Sequence, residues 1–302
     1  DQNTVGKVPD MRQSQRRWPG LLGWSLYDFA NSAFTTIIIT FVFSVYFSTS
    51  LVCSAEWAGC LSDADEAKLT LQQRLNGTAG QAAWGYAMAF AGLLVGVLAP
   101  IFGAVADRAG RRKPWILVFS LISIGCTAAL SWMVPEAQYI LPAILLVAIA
   151  NLCFELGITF NSAMLPSLAE EKSIGRWSGF AWGLGYFGGL ISLVACLFMI
   201  LGAETDADRL AATLMSPMIV AVWFFVFMIP MFLFTPDAPQ GEPIGQAIKN
   251  GLGQLVTTLK SVGGQGNMVR FLLSRLLYID GTNTLFAMGA TYAALRYGMS
   301  LD

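Results

Sequence analysis

Seven long apolar runs, near residues 21–50, 80–105, 114–134, 138–166, 177–202, 211–235 and 270–299, constrain this chain more than any other feature. A bilayer core of about 30 Å is crossed by about 20 mostly apolar residues in helix, and each run reaches that length. Inside hydrocarbon a backbone has to satisfy its own N–H and C=O groups, so such runs read as transmembrane helices. Prolines within them, such as Pro100 and Pro230, are tolerated where neighbouring helices re-satisfy the freed groups. Charged residues make up only 12% of the chain and hydrophobic ones 55%, with a mean hydropathy of +0.59. A soluble domain carries about twice that charge. The chain therefore reads as an all-α polytopic membrane protein.

Lys and Arg number 18 against 19 Asp and Glu, which leaves no electrostatic footprint for a nucleic-acid partner. There is no histidine, which removes His general bases, Ser/His and Cys/His nucleophile pairs, HExxH zinc sites and histidine proton relays. No GxxxxGK[ST] phosphate loop is present. Chemistry on a substrate is not expected, and the sequence assigns no catalytic residue, no metal site and no cofactor.

Loop cations set the orientation. One side receives Lys7, Arg12, Arg16 and Arg17, then Arg108, Arg111, Arg112 and Lys113, then Lys172 and Arg176, then Lys249, Lys260 and Arg270. The other receives only Lys68, Arg74, Arg209 and Arg296. The positive-inside rule places the N-terminus in the cytoplasm, and a bacterial inner membrane is the expected location. Arg16-Arg17 could be a twin-arginine export signal, but the apolar run behind it continues to about residue 52, far beyond a signal-peptide core, which favours an orientation signal. Cys53 and Cys60 share the outer loop after the first run, where a disulfide and two free thiols are both open readings.

These boundaries give a cytoplasmic segment (1–20), a six-helix transmembrane half (21–235), a cytoplasmic linker (236–268) and the first helix of a second half (269–302). Within the linker Ile244, Ile248, Leu252, Leu255, Leu259 and Val262 recur at steps of three and four. The spacing predicts an amphipathic helix lying on the membrane face or against the bundle.

Three polar stripes run along the apolar helices. Asp28, Asn31, Ser32 and Thr35 share a face of the first, Asn151, Glu155, Thr159 and Ser162 a face of the fourth, and Asp280, Asn283, Thr284 and Thr291 approximate one on the seventh. Each acid lies roughly 10 to 16 Å from the cytoplasmic end. An acid at such depth costs on the order of 3 kcal/mol and faces a bundle interior or water cavity. A structural ion pair, for instance with Arg275, is the competing reading; three acids at matched depth favour a solute or proton pathway. The first and seventh runs also share D-x-x-N-[ST]-x-F, at Asp28–Phe34 and Asp280–Phe286, as a six-plus-six duplication would produce. In the fifth run Gly179, Gly183, Gly185, Gly188 and Gly189 supply two GxxxG spacings, read as close helix packing rather than substrate contact.

The hairpin after the second run reads Gly103-Ala-Val-Ala-Asp107-Arg108-Ala-Gly110-Arg111-Arg112-Lys113. This GxxxDRxGRRK pattern resembles the signature loop of the major facilitator superfamily. As a conformational latch, Gly103 would allow close helix approach, Asp107 would cap or pair with a neighbouring helix end, and Arg108, Arg111 and Arg112, carried on a turn at Gly110, would add charged hydrogen bonds that break as two halves rock apart. Gly23–Phe34, Asn161-Ser-Ala-Met-Leu-Pro166 and Arg270-Phe-Leu-Leu-Ser-Arg275 together resemble the vacuole-effluxer-like family of that superfamily. The resemblance implies a twelve-helix bundle, of which this chain would supply six helices plus the seventh, and fungal members associated with amino-acid efflux. Together with the polar stripes this reads as a secondary transporter, expected to be monomeric and coupled by protonation of Asp28, Glu155 or Asp280, whose partners are a small-molecule substrate and membrane lipid. The alternative is a non-transporting receptor or scaffold acting through the linker.

Overall fold

The computed structural model describes residues 11–54, 79–239 and 241–297. Helix α1 (Met11–Ala33) continues through a π-helical segment (Phe34–Phe41), one α-helical turn (Phe43–Tyr46), a second π-helical segment (Phe47–Leu51) and a 3-10 turn (Val52–Ser54). Then come α2 (Ala79–Ala109), α3 (Lys113–Ala129), α4 (Ile140–Leu168), α5 (Ile174–Leu201), α6 (Asp206–Phe234), the linker helix α7 (Ile244–Gly263) and α8 (Gly266–Tyr297). Among the described residues there is no strand.

Six helices among the described residues, α1 with its continuation and α2 to α6, are long and apolar enough to cross a membrane. They coincide with the first six runs. The seventh run is helical but α8 is not among the six, since its charged and polar residues, among them Arg270, Arg275, Asp280 and Asn283, lower its apolar character. Within the linker, Ile244–Gly263 form helix α7.

The first span is the centre of the bundle: 67% of its most apolar window is buried, against 11% for α2. It packs on α5 and α6 along its length and touches α4. Six consecutive β-branched residues, Thr35–Thr40, crowd a tight α-turn, and here the helix widens. Thr40 Oγ1 donates to Thr35 O at 3.0 Å, a step of five residues. The α-helical phase therefore ends at Ala33, and Thr35 falls outside the register that its spacing from Asp28 predicts.

The α1–α5 seam is built on glycine. A Cβ on Gly185 would stand 2.8 Å from Ser32 Oγ, and one on Gly188 would overlap the Phe29 carbonyl oxygen. Gly189 faces Thr36 and the Ser32 carbonyl. The second GxxxG spacing is thus a helix-packing device, while Gly179 and Gly183 meet open space. Cys53 is disulfide-bonded, and Cys60 lies outside the described residues; Cys126, Cys153 and Cys196 are free thiols.

Candidate functional site

Three contacts register α1 against α4. Trp24 Nε1 donates to Asn161 O at 2.7 Å, Tyr27 lies against Gly157, and the Phe34 and Phe154 rings meet at 4.9 Å. The helices run antiparallel here, so Asp28 and Asn31 on α1 lie in the same layer as Glu155 on α4. Tyr27, fully buried, is held by a 2.9 Å hydrogen bond between its hydroxyl and Ser120 Oγ of α3. Sequence reasoning missed this Tyr27–Ser120–Gly157 junction, because its members are ordinary residues in three separate runs.

Asp28 and Glu155 are both half-buried, and no salt bridge is formed by either among the described residues. Asn31 is 4% exposed; it stands close to Asp28, yet its Nδ2 finds no acceptor in hydrogen-bond geometry. Asn161 Oδ1 is likewise buried without a donor. Orphaned polar atoms of this kind are rare in packed cores. Ser32 Oγ donates to Asp28 O at 2.7 Å, and Thr159 Oγ1 to Glu155 O at 2.9 Å, so both hydroxyls serve their own helices. Asn151 is half-buried one turn further along α4.

Helix α8 does not add its acid to this layer. It packs on Phe34–Phe41 and Phe43–Tyr46 of the first span and on α2, while Arg275, Asp280 and Asn283 are exposed. Of the three acids expected at matched depth, Asp28 and Glu155 are half-buried in one layer of the described bundle and Asp280 is exposed on α8. The repeat matched positions along two helices, but packing rather than position along a helix decides which face turns inward.

The signature hairpin is organised by the linker. Helix α2 ends at Gly110, whose φ of 80° is left-handed, so that its N–H reaches Ala106 O at 3.0 Å. Two carbonyls left over at this end, Arg108 O and Ala109 O, accept from Glu242 N and Gly241 N, each at 2.9 Å. The start of α3 is satisfied from the same segment: Asp237 accepts from Arg112 N at 2.9 Å and from Lys113 N at 3.2 Å. A carboxylate at a helix N-terminus also meets the positive end of the dipole. Linker residues thus close both open helix ends of the hairpin.

The Arg108 side chain turns to the linker too, donating through Nε to Gln254 Oε1 at 2.8 Å and through Nη1 to Glu242 Oε1 at 3.0 Å. Gln254 sits beside the face by which α7 docks, where Ala247 and Gly251 press on Ala104, Val105 and Ala109 of α2. Ile248, part of the predicted apolar stripe, is 44% exposed beside that contact. Of the expected latch, Gly103 departs from its role, since a Cβ there would meet nothing within 4 Å. Arg111 is exposed, Arg112 is engaged through its backbone, and the Asp107 side chain lies outside the described residues. Sequence reasoning missed Asp237, Glu242, Asn250 and Gln254, although an Asp and a Gly-Glu pair set between Pro236, Pro239 and Pro243 in an otherwise apolar chain were the available signal.

Asp237→Ala is expected to leave three partly buried N–H groups, of Arg112, Lys113 and Ala238, without their acceptor and to cost about 1 to 2 kcal/mol, read as a lowered unfolding midpoint in detergent. The Asn250 amide, and after it Arg108, hold the Glu242 carboxyl below the ordinary carboxylate range. A depressed folded-state pKa gives stability that is present above the unfolded value, about 4.3, and lost as pH falls through the folded one. The protection factors of the α7 amides, that is exchange rates relative to the intrinsic rate at each pH, are expected to fall as pH drops below the unfolded value of about 4.3, and Glu242→Gln should show the lower protection already at neutral pH.

No cluster of His, Cys, Asp and Glu among the described residues is arranged to hold a metal ion. The sequence model of the "Vacuole effluxer Atg22 like" family matches residues 16–177 and 170–301. An uncharacterized MFS-type transporter of Bacillus subtilis, YxiO, is 27% identical over 274 residues, which is 90% of this chain and 59% of that protein. Autophagy-related protein 22-1 of Aspergillus fumigatus is 25% identical over 142 residues, 43% of this chain and 23% of that one. The chain thus spans less than two thirds of these relatives. In fold it is similar to the xylose transporter XylE of E. coli in a partially occluded inward-open conformation, with a TM-score of 0.51, 12% identity, and coverage of 89% of this chain and 60% of that chain. The match runs through every described helix, and the chain belongs to the vacuole effluxer Atg22-like family of MFS-type membrane proteins.

Proposed function

We propose that the full-length protein is a secondary active transporter of a small solute, working by alternating access around a cavity to which α1 and α4 contribute Asp28, Asn31 and Glu155. The carrying observation is the α1–α4 register: it sets two acids and a buried, unsatisfied amide in one layer of a bundle with no basic side chain nearby on either helix. Ionisable groups within a membrane are expensive and mark solute or proton paths. Protonation of Asp28 or Glu155 would supply coupling; the family's effluxer description favours solute efflux, with an amino acid the substrate class that the sequence resemblance implies. Asn151, Ser32, Thr35 and, from α8, Arg275, Asp280 and Asn283 would complete the pathway as other helices close around it.

The basic loops support an N-terminus in the cytoplasm, and the bonded Cys53 at the far end of the first span supports an oxidising outer compartment, as at a bacterial inner membrane. Arg108, Arg111 and Arg112 with Asp107 and Gly110 form the proposed latch; since Arg108 is bonded to the linker, linker and α2 would move as one body. Solute counterflow tests the function. Full-length protein in vesicles preloaded with unlabelled amino acid should accumulate labelled amino acid without an ion gradient, and absence of counterflow across amino acids and sugars would reject the carrier reading.

A further inference from the structure

At the loop end of the bundle a cleft of about 620 Å³ opens between the start of α3 and the end of α6, outside the cavity discussed above. Arg111, Lys113 and Asp237 stand at its polar end, and Pro114, Leu117 and Phe232 form its apolar wall. Two of its three charges are already committed in part. Asp237 is engaged by the N–H groups of Arg112, Lys113 and Ala238, and Lys113 Nζ donates one bond, at 2.9 Å, to Phe232 O. An ammonium has three donors, so two remain, and exposed Arg111 forms no ion pair among the described residues. The cleft therefore presents uncommitted positive charge beside an acid whose oxygens are already occupied. Its apolar wall runs on into the outer face of the bundle, where Leu121 of α3 is 44% and Ile229 of α6 is 39% exposed.

From this combination we infer that the cleft holds an anionic glycerophospholipid, with its phosphate at Arg111 and Lys113 and an acyl chain laid along the α3–α6 groove. A guanidinium fork matches phosphate oxygens in bidentate fashion, and a flanking ammonium adds a point charge. Basic pockets at the membrane face between helices take lipid head groups for this reason. A soluble anion would use the cations but leave the apolar wall idle, whereas a lipid uses both ends of the cleft.

The test is lipid retention by delipidated full-length protein in detergent, followed by native mass spectrometry with dioleoylphosphatidylglycerol, dioleoylphosphatidylcholine or inorganic phosphate. Phosphatidylglycerol is expected to bind at least about fivefold tighter than phosphatidylcholine, whose choline offsets the phosphate. Arg111→Gln, a change at an exposed side chain, should reduce that preference to within about twofold, while Lys113→Arg and the distant Lys172→Gln should keep it. Equal binding of the two lipids, an unchanged preference in Arg111→Gln, or displacement of phosphatidylglycerol by millimolar inorganic phosphate would overturn the assignment. None of these readouts involves transport, so the result is independent of the carrier proposal.

Discussion

Full-length protein carrying Asp28→Asn is expected to lose pH-gradient-driven transport to background while retaining substrate exchange at equal pH, with Glu155→Gln behaving in the same way. Asp28 and Glu155 share one layer of the α1–α4 seam, away from any basic side chain of those helices, so a proton is the simplest partner for their charge. Removing a titrating carboxyl but keeping its shape removes coupling and spares the path. A merely structural acid would lower folded yield, driven transport and exchange together. Asp280→Asn separates the helices' contributions: it lies on the exposed face of α8, and loss of coupling there would mean that α8 turns this face inward in the working transporter. Wild-type gradient-driven transport in all three variants would end the proton-coupling proposal.

The second large effect is structural. Gly188→Leu is expected to abolish recovery of monodisperse protein, and Gly188→Ala to reduce it severely, because even a methyl would overlap the Phe29 carbonyl of the most buried span. Backbone cannot swing aside as a flexible side chain can, so the cost exceeds the ~1–3 kcal/mol typical of overpacking. Against a total stability of about 5–15 kcal/mol this is decisive. Gly183→Ala on the same helix is the control: nothing lies within 4 Å of its added Cβ, and replacing glycine in a helix gains about 1 kcal/mol. Fluorescence-detected size exclusion of the two variants reads the contrast directly, and equal recovery would show that α1 and α5 do not meet at Phe29.

Much of this architecture is legible in the chain because the bilayer is a demanding solvent. A helix has to be about 20 residues long and apolar to cross it, so the first six runs could be read as α1 to α6 from length and composition alone. The turn at Gly110 and the linker helix are equally local features: Gly110 takes a left-handed φ of 80° and Ile244–Gly263 are helical. Local spacing failed where it assumed an uninterrupted α-helix: the β-branched run widened the first span and took Thr35 out of register with Asp28. It also could not say which glycines meet another helix, since Gly183 and Gly188 look alike until α1 is laid beside them.

What only the tertiary structure decided are pairings between residues far apart in the chain. Asp237 caps α3 across 125 positions and Glu242 meets Arg108 across 134, and no periodicity connects residues at such separations. The open N–H groups at the start of α3 are common to all helix starts, so the need for an acceptor was predictable and its identity was not. The matched depth of three acids was likewise a statement about distance along each helix. Axial register and rotation about the helix axis are both set by neighbours: the first put Asp28 and Glu155 in one layer, and the second left Asp280 exposed.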